Sequence, residues 1–335
     1  MHEPVRLQDV AEAANVSLST ASKVMNDTGR IAAGTRRLVL ETARAMGYEH
    51  HHRQPQMRQK TGLIGLVSAD LEGRFALPLI NGAEQTLGAA NHAVLLMNSR
   101  GDPRVERRHI DQLAARGVDG LIILNGETDP RPPIRQKTVE DIPIVYAYSP
   151  SSDPSDCSVT CDNETAGYQG IRHLIEQGRR RLAVIAGDDG YLATRERLNG
   201  IKRALAEEGL RTVAPIRFGN WHESWGRTCV RMMFDEGADF DGLYAMNDQI
   251  ARGAIETMLA CGLEVPRDVA VIGHDNWAVT ALECPVPITS FDNELETIGR
   301  YAARLLLRAV AGRETHGVTK VECSLHIRRS TVADI

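Results

Sequence analysis

The sequence predicts an α/β protein in which a small, all-α N-terminal head precedes a larger body of parallel β-sheets. Three observations carry this. From Thr61 onward, short β-rich apolar runs alternate with amphipathic helical stretches, the rhythm of parallel strands covered by helices. The first 26 residues instead show two short helical periods meeting at a tight turn. Charge divides at the same place: residues 1–60 hold nine Lys/Arg against six Asp/Glu, and the remainder holds 30 against 38. At 335 residues, the chain is long enough for two or three compact units.

The head is read in order. A helix from Leu7 to Ala14 places Leu7, Val10, Ala11 and Ala14 on one face, and Asn15 can take the left-handed position that follows it. Ser17 then serves as N-cap of a second helix running to about Asn26, which buries Ala21, Val24 and Met25 and exposes Leu18, Ser19, Ser22 and Lys23. A third helix, Ala33 to Met46, carries Leu38, Val39, Ala43 and Met46 at helical spacing, closed by Gly47 and Tyr48. Two helices joined this way form a helix-turn-helix, whose second helix presents its N-terminal side chains to the DNA major groove. Periodicity alone also fits a three-helix unit that binds protein. The boundaries expected are 1–48 for the head, 49–61 for a polar linker and 62–335 for the body.

In the body, strands are expected at Leu63–Val67, Ala93–Met97, Gly120–Leu124, Ile142–Tyr146, Leu182–Ala186, Gly242–Ala245 and Val269–Gly273. Helices are expected at Pro78–Ala90, Arg104–Arg116, Glu164–Gln177 and Arg195–Glu208. One sheet could hold all these strands. Two subdomains, about 62–160 with 292–320 and 161–291 with 321–331, fit better, because a cleft between two sheets joins two sets of strand carboxyl ends.

Composition narrows the function classes. Apolar residues make up 42% and charged residues 25%, as in soluble globular proteins. No run of 18 apolar residues suits a membrane helix, and the N-terminus lacks the charged and apolar regions of an export signal. A cytoplasmic location and no membrane partner are expected. The six cysteines form no CxxC pair and lack clustered His partners, so neither a metal site nor a cofactor is expected. The three consecutive His residues at 50–52 read as solvated linker. No GxSxG elbow, P-loop, HExxH or Rossmann glycine triplet occurs, so the chain does not read as an enzyme.

The order of residues says more. Asp9-Val10-Ala11, Ala14, Val16-Ser17, Thr20, Ser22, Val24, Asn26, Thr35-Arg36 and Gly47-Tyr48 form a long spaced pattern that resembles the head of the lac repressor family. The body resembles the periplasmic sugar-binding fold of the same family through Cys161-Asp162-Asn163, Gly167, His173-Leu174, Gly178, Arg180, Arg195, Arg197 and Gly200. Ala245, Asn247-Asp248, Val271-Ile272-Gly273, Asp275, Pro287, Thr289 and Arg328-Arg329-Ser330-Thr331 complete the match, which spans about residues 5–331.

The resemblance implies that Leu18 and Ser19 read bases, while Gln8, Ser17, Thr20, Ser22, Asn26 and Arg30 hold phosphates or set register. Lys23 stands where the family has Arg, a change from a two-pronged guanine reader to a flexible point charge. In the linker, Met57 aligns with the family's minor-groove wedge residue, whereas Pro55 falls inside the family's hinge helix, where proline is poorly tolerated. In the body the implied effector contacts are Arg197, Asn247 and Asp275, with Trp221 as a flat face for a sugar ring. Asp70, Phe75 and Tyr148 fall at pocket positions of the other subdomain, although the family's NPFF run reads Gly73-Arg74-Phe75-Ala76 here. The residues alone also permit an Arg197–Asp275 internal ion pair and a Trp221 buried in the core.

The expected function is a ligand-controlled transcription regulator, a repressor in the first instance, bound as a homodimer to a palindromic double-stranded DNA operator. Its small-molecule effector would be sugar-like. The alternative is a cytosolic sugar sensor whose head contacts protein.

Overall fold

A computed structural model of the chain describes residues 5–25, 31–46, 48 and 60–333. The chain forms two compact units, Met1–Lys60 and Thr61–Ile335. Asn26, Arg30, Gly47 and the linker positions Pro55 and Met57 lie outside the described residues.

The head holds α1 (Leu7–Ala13), α2 (Leu18–Met25) and α3 (Ala33–Ala45). Helices α1 and α3 end one residue earlier than their sequence periods suggested, and the expected end of α2 at Asn26 lies outside the described residues. Helix α1 starts where the Asp9 carboxylate accepts the Arg6 N–H at 2.7 Å. Asn15 adopts φ 49° and so makes the left-handed turn. Ser17 caps α2: its hydroxyl accepts the Thr20 N–H at 3.1 Å, satisfying a donor that the first helical turn leaves open. Val10, Ala21, Val24 and Val39 are buried among the three helices. One expectation fails here. Leu38 is 49% exposed, because Val39 and Ala43 set the buried stripe of α3 and Leu40, on the other flank, packs against it instead.

The body runs β1 (Leu63–Ser68), α4 (Ala76–Ala89), β2 (Ala93–Asn98), α5 (Pro103–Ala115), β3 (Gly120–Leu124), β4 (Ile144–Ala147), β5 (Cys157–Cys161) and α6 (Asn163–Glu176). It continues with β6 (Leu182–Ile185), α7 (Leu192–Glu207), α8 (Glu223–Asp235), β7 (Gly242–Ala245), α9 (Asp248–Ala260) and β8 (Ala270–His274). The last elements are α10 (Ala278–Ala281), β9 (Thr289–Asp292), α11 (Leu295–Val310), β10 (Gly317–Val321) and β11 (Ser324–His326). Central strands such as β3, β5, β7 and β8 are buried along their whole length, which is what helices on both faces of a parallel sheet require.

These strands form two sheets rather than one, in the orders β10-β5-β4-β3-β1-β2 and β11-β9-β8-β7-β6. The first is parallel throughout, whereas the second ends in an antiparallel edge, β11 against β9. The chain crosses between subdomains three times: between β5 and α6, between β9 and α11, and between β10 and β11. Sequence reading set these crossings at 160/161, 291/292 and 320/321. Pro143 was expected inside β4, but the strand begins at Ile144. Proline has no N–H for the ladder, though its carbonyl still accepts from the Leu121 N–H at 2.9 Å.

Candidate functional site

Where the strands of both sheets end, the loops that follow them enclose a cavity of about 240 Å³. This is the position at which open α/β sheets bind ligands. One subdomain contributes Arg74 and Phe75 from the turn into α4, Gly126, Glu127 and Thr128 after β3, and Tyr148 after β4. The other contributes Tyr191, Ala193 and Arg197 from the start of α7, Trp221 before α8, Asn247 at the head of α9 and Asp275 after β8. Six of the seven expected effector residues therefore line one space; Asp70 does not.

Asp275 sits at φ 94° and Tyr148 at φ 74°, conformations that non-glycine residues rarely adopt outside constrained sites. One Asp275 carboxylate oxygen accepts from Asn293 Nδ2 at 3.1 Å, and the other pairs with Arg74. The Arg197–Asp275 ion pair permitted by the sequence does not form, because Arg74 takes that place. Arg197 is only 3% exposed. Its Nε donates to Asn163 Oδ1 at 2.9 Å and its Nη1 to the Met246 carbonyl at 2.5 Å. Burial works against its charge, but the nearby Asp275, Tyr244 and Tyr148 outweigh that and raise its pKa. Below Asp275 lies a second carboxyl, Asp248, which is pushed up to about 8 by burial and then by Asp275.

The aromatic wall has two parts. Phe75 stacks on Tyr148 with ring centres 5.7 Å apart, and Trp221 meets Tyr191 edge-on at 5.8 Å. Trp221 is half-buried, packed against apolar core residues of its subdomain, and lines the cavity. Asn247 was expected to offer both a donor and an acceptor to a ligand. Its Oδ1 is taken by the Ile250 N–H at 2.8 Å, capping α9, and its Nδ2 donates to the Trp221 carbonyl at 3.0 Å. It fixes the Trp221 loop more than it presents polar atoms. Thr128, in contrast, has a buried Oγ1 with no hydrogen-bond partner.

Asp70 faces a separate, more open hollow with Asn98, Arg100 and Glu127. Its two carboxylate oxygens accept the Glu72 N–H and the Gly73 N–H, both at 2.7 Å. That turn delivers Arg74 into the cleft. Sequence reasoning missed Arg74 as a site residue, although the departure from NPFF at that position was a usable signal. Tyr191, Thr128 and Asn293 carried no such signal.

On the head, α2 exposes Leu18 (50%), Ser19 and Lys23, with Ser22 half-buried beside them. Thr20 shares a 2.8 Å hydrogen bond with the Ser17 hydroxyl, and Gln8 on α1 is exposed and reaches Glu12 at 3.5 Å. Ser17 to Ser19 stand at the start of α2, Ser22 and Lys23 further along it, and Gln8 on α1.

Comparison with known proteins gives this geometry its family. Residues 6–50 match the bacterial regulatory proteins of the lacI family, and residues 61–329 match the periplasmic binding proteins and sugar binding domain of the LacI family. The HTH-type transcriptional regulator CelR of Thermobifida fusca is 30% identical over 334 residues, covering 97% of both chains. Catabolite control protein A of Priestia megaterium is 28% identical, covering 98% of this chain and 99% of its own. Among solved structures, the lac repressor dimer bound to operator and the anti-inducer ONPF is similar with a TM-score of 0.67 and 25% identity. It covers 99% of this chain and all of its own. A CelR–cellobiose complex is similar with a TM-score of 0.64 and 26% identity, covering 97% and 99%. With a helix-turn-helix head and a two-subdomain body enclosing an effector-type cleft, this chain belongs to the LacI family of DNA-binding transcriptional regulators, a family without enzymatic activity.

Proposed function

We propose that the protein is a repressor in the cytoplasm that binds a palindromic operator as a homodimer and releases or tightens on it when a sugar-like molecule fills the body cleft. Residues 1–48 act as the DNA-reading head, 49–61 as the hinge linker and 62–335 as the sensing and dimerising body. Leu18, Ser19 and Lys23 read base edges. Gln8, Ser17, Thr20, Ser22, Asn26 and Arg30 set register on phosphates, and Met57 is the minor-groove wedge. Phe75, Tyr148, Arg197, Trp221 and Asp275 hold the effector, with Asn247 lining the cleft and fixing the Trp221 loop and Asp70 acting through the turn it builds.

The observation that carries this reading is the composition of the cleft. Flat aromatic faces, a buried guanidinium, a carboxylate and an unpartnered Thr128 hydroxyl surround a space below the ~300–1,000 Å³ usual for drug-sized ligands. Such a space suits one polyhydroxylated ring. The CelR–cellobiose complex among the similar structures supports the same ligand class. Filling the cleft would draw the subdomains together about the three crossovers and alter the spacing of the two linkers in a dimer.

The test is fluorescence polarisation on DNA from upstream of the protein's own gene, with and without a panel of sugars and sugar derivatives. Trp221 emission is followed in the same samples. Tight, salt-sensitive binding that one compound relieves or strengthens is the expected result. Binding insensitive to salt, or absent from every upstream palindrome, overturns it.

A further inference from the structure

The Arg74 guanidinium is held in an unusual manner for a residue at a ligand cavity. It pairs with Asp275 through Nη2, and its central carbon lies 4.8 Å from the Phe75 ring centre and 4.9 Å from that of Trp277. Two aromatic faces and one carboxylate fix its plane, while its side chain stays 20% accessible. Of its five N–H donors, the Asp275 pair uses Nη2. The other edges of a guanidinium so held are already oriented, which lowers the entropy cost of a further two-pronged contact.

Charge around it is uneven. Arg74 and Arg197 share Asp275 as their nearest acidic partner in the inner cavity. Asp248, buried beneath, stays protonated up to about pH 8 and adds no charge at neutrality. The other carboxylates nearby, Asp292, Glu294 and Glu296, line a second cavity of about 300 Å³ on the outer side of Arg74. Glu127 stands exposed at the mouth of the inner one. Helix α4 begins at the inner cavity with no side chain of its own N-cap residue closing it, so the positive end of its dipole lies there, whereas the first N–H of α7, at Leu192, is taken by the Asp129 carboxylate at 2.9 Å. The lining of this cavity thus holds two guanidiniums, Arg74 and Arg197, and two carboxylates, Asp275 beside the guanidiniums and the exposed Glu127.

We infer that Arg74 selects an effector bearing an anionic substituent, a carboxylate or phosphate ester on a single sugar-sized ring. This rests on the sugar-effector reading above and makes it more specific. The ring lies against Trp221, and the anion meets the free edge of Arg74 on its inner side. Arg74 is a specificity residue, because the Trp221 and Tyr191 rings and the Thr128 hydroxyl are supplied by other residues of the cleft.

The test uses the full-length protein and Trp221 quenching. Neutral aldohexoses of gluco, galacto and manno configuration are compared with the matching hexuronates, hexuronamides and hexose 6-phosphates. At least one hexuronate or 6-phosphate binds about tenfold or more tightly than its neutral parent, the smallest effect expected of one charge-assisted contact. Response to hexuronates or to 6-phosphates tells which anion it is. Arg74→Gln brings the ratio to near one. Should that variant not fold, the hexuronate-to-hexuronamide ratio in the unaltered protein decides alone. A ratio near one in the unaltered protein, a ratio unmoved by folded Arg74→Gln, or no response to any anionic compound overturns the inference. A neutral sugar that quenches Trp221 and shifts operator binding leaves the sugar-effector reading standing while this one falls. Silence across the whole panel ends both.

Discussion

Asn293 grips Asp275 from the crossover between the two subdomains. Its Nδ2 donates to Asp275 Oδ1 at 3.1 Å, while its own Oδ1 pairs with His274 Nε2 at 2.9 Å. Asn293 is 1% exposed and lies between β9 and α11, where the chain passes from one sheet to the other. The residue that orients the cleft carboxylate is therefore part of a segment about which the subdomains would turn.

Asn293→Ala should uncouple the two. It removes a buried hydrogen bond to a charged group and leaves His274 without its partner, a loss of about 1–3 kcal/mol. The expected result is a lower Tm, effector affinity reduced about tenfold, and a smaller change in operator affinity at saturating effector. If saturating effector shifts operator affinity as much as in the unaltered protein, Asn293 does not link cleft to crossover.

Gly187 permits the Trp221 wall. A Cβ at position 187 would overlap the six-membered ring of the Trp221 indole. Gly187→Ala should push the indole into the cleft at a stability cost of about 1–3 kcal/mol. Trp221 emission should shift and effector affinity fall, with operator affinity in the absence of effector unchanged. Effector titrations that overlay those of the unaltered protein would show that the ring position does not matter.

The architecture was legible because buried parallel strands read as continuous apolar runs: Leu63–Val67 and Gly120–Leu124 name themselves. Strand β5, Cys157-Ser158-Val159-Thr160-Cys161, was missed because its buried polar residues break the run, and their hydroxyls are satisfied by tertiary partners such as the Tyr148 carbonyl. Strands β9 to β11 were missed for being short and polar. At the site, Arg197 and Asp275 were visible as residues, but their partners were not. No spacing rule tells that a residue 201 positions before Asp275 will pair with it, since that follows only from two sheets facing each other.

Asp248 sets a pH dependence whose sign can be worked out. Its carboxyl is raised to about 8 in the folded body, against ~3.9 in an unfolded chain. Between those values, the folded state binds the extra proton. Its contribution to stability is thus complete below about pH 4 and is lost as pH rises through about 8. His173 and His274 act oppositely. Burial lowers both, so the stability tied to their neutral forms is present above ~6.5 and fades as pH falls below that. Asp248→Asn keeps an acceptor for the Trp277 N–H and a partner for Ser290 Oγ, which Asp248 now meets at 2.9 and 2.5 Å. The variant should gain Tm relative to the unaltered protein steadily from pH 5 to pH 8.5. A constant difference across that range would mean that Asp248 is ionised throughout.

The head offers a test of reading against holding. Ser17 closes the first turn of α2, so Ser17→Ala should destabilise the head by about 0.5–2 kcal/mol and weaken all DNA sequences alike. Leu18→Ala with Ser19→Ala should instead collapse the preference for the operator over unrelated DNA while leaving Trp221 quenching by effector intact. Lys23→Arg should do the reverse of a loss. A guanidinium replaces a point charge on the exposed face of α2, and each two-pronged contact to guanine adds about 1–3 kcal/mol of discrimination. Operators carrying guanine at the facing position should gain affinity, and the salt slope should stay the same because the charge is unchanged. Polarisation titrations at two salt concentrations, on the operator and on single-base variants, separate these effects. Equal losses on every sequence from the Leu18, Ser19 double variant would assign those residues to holding the helix and not to reading the bases.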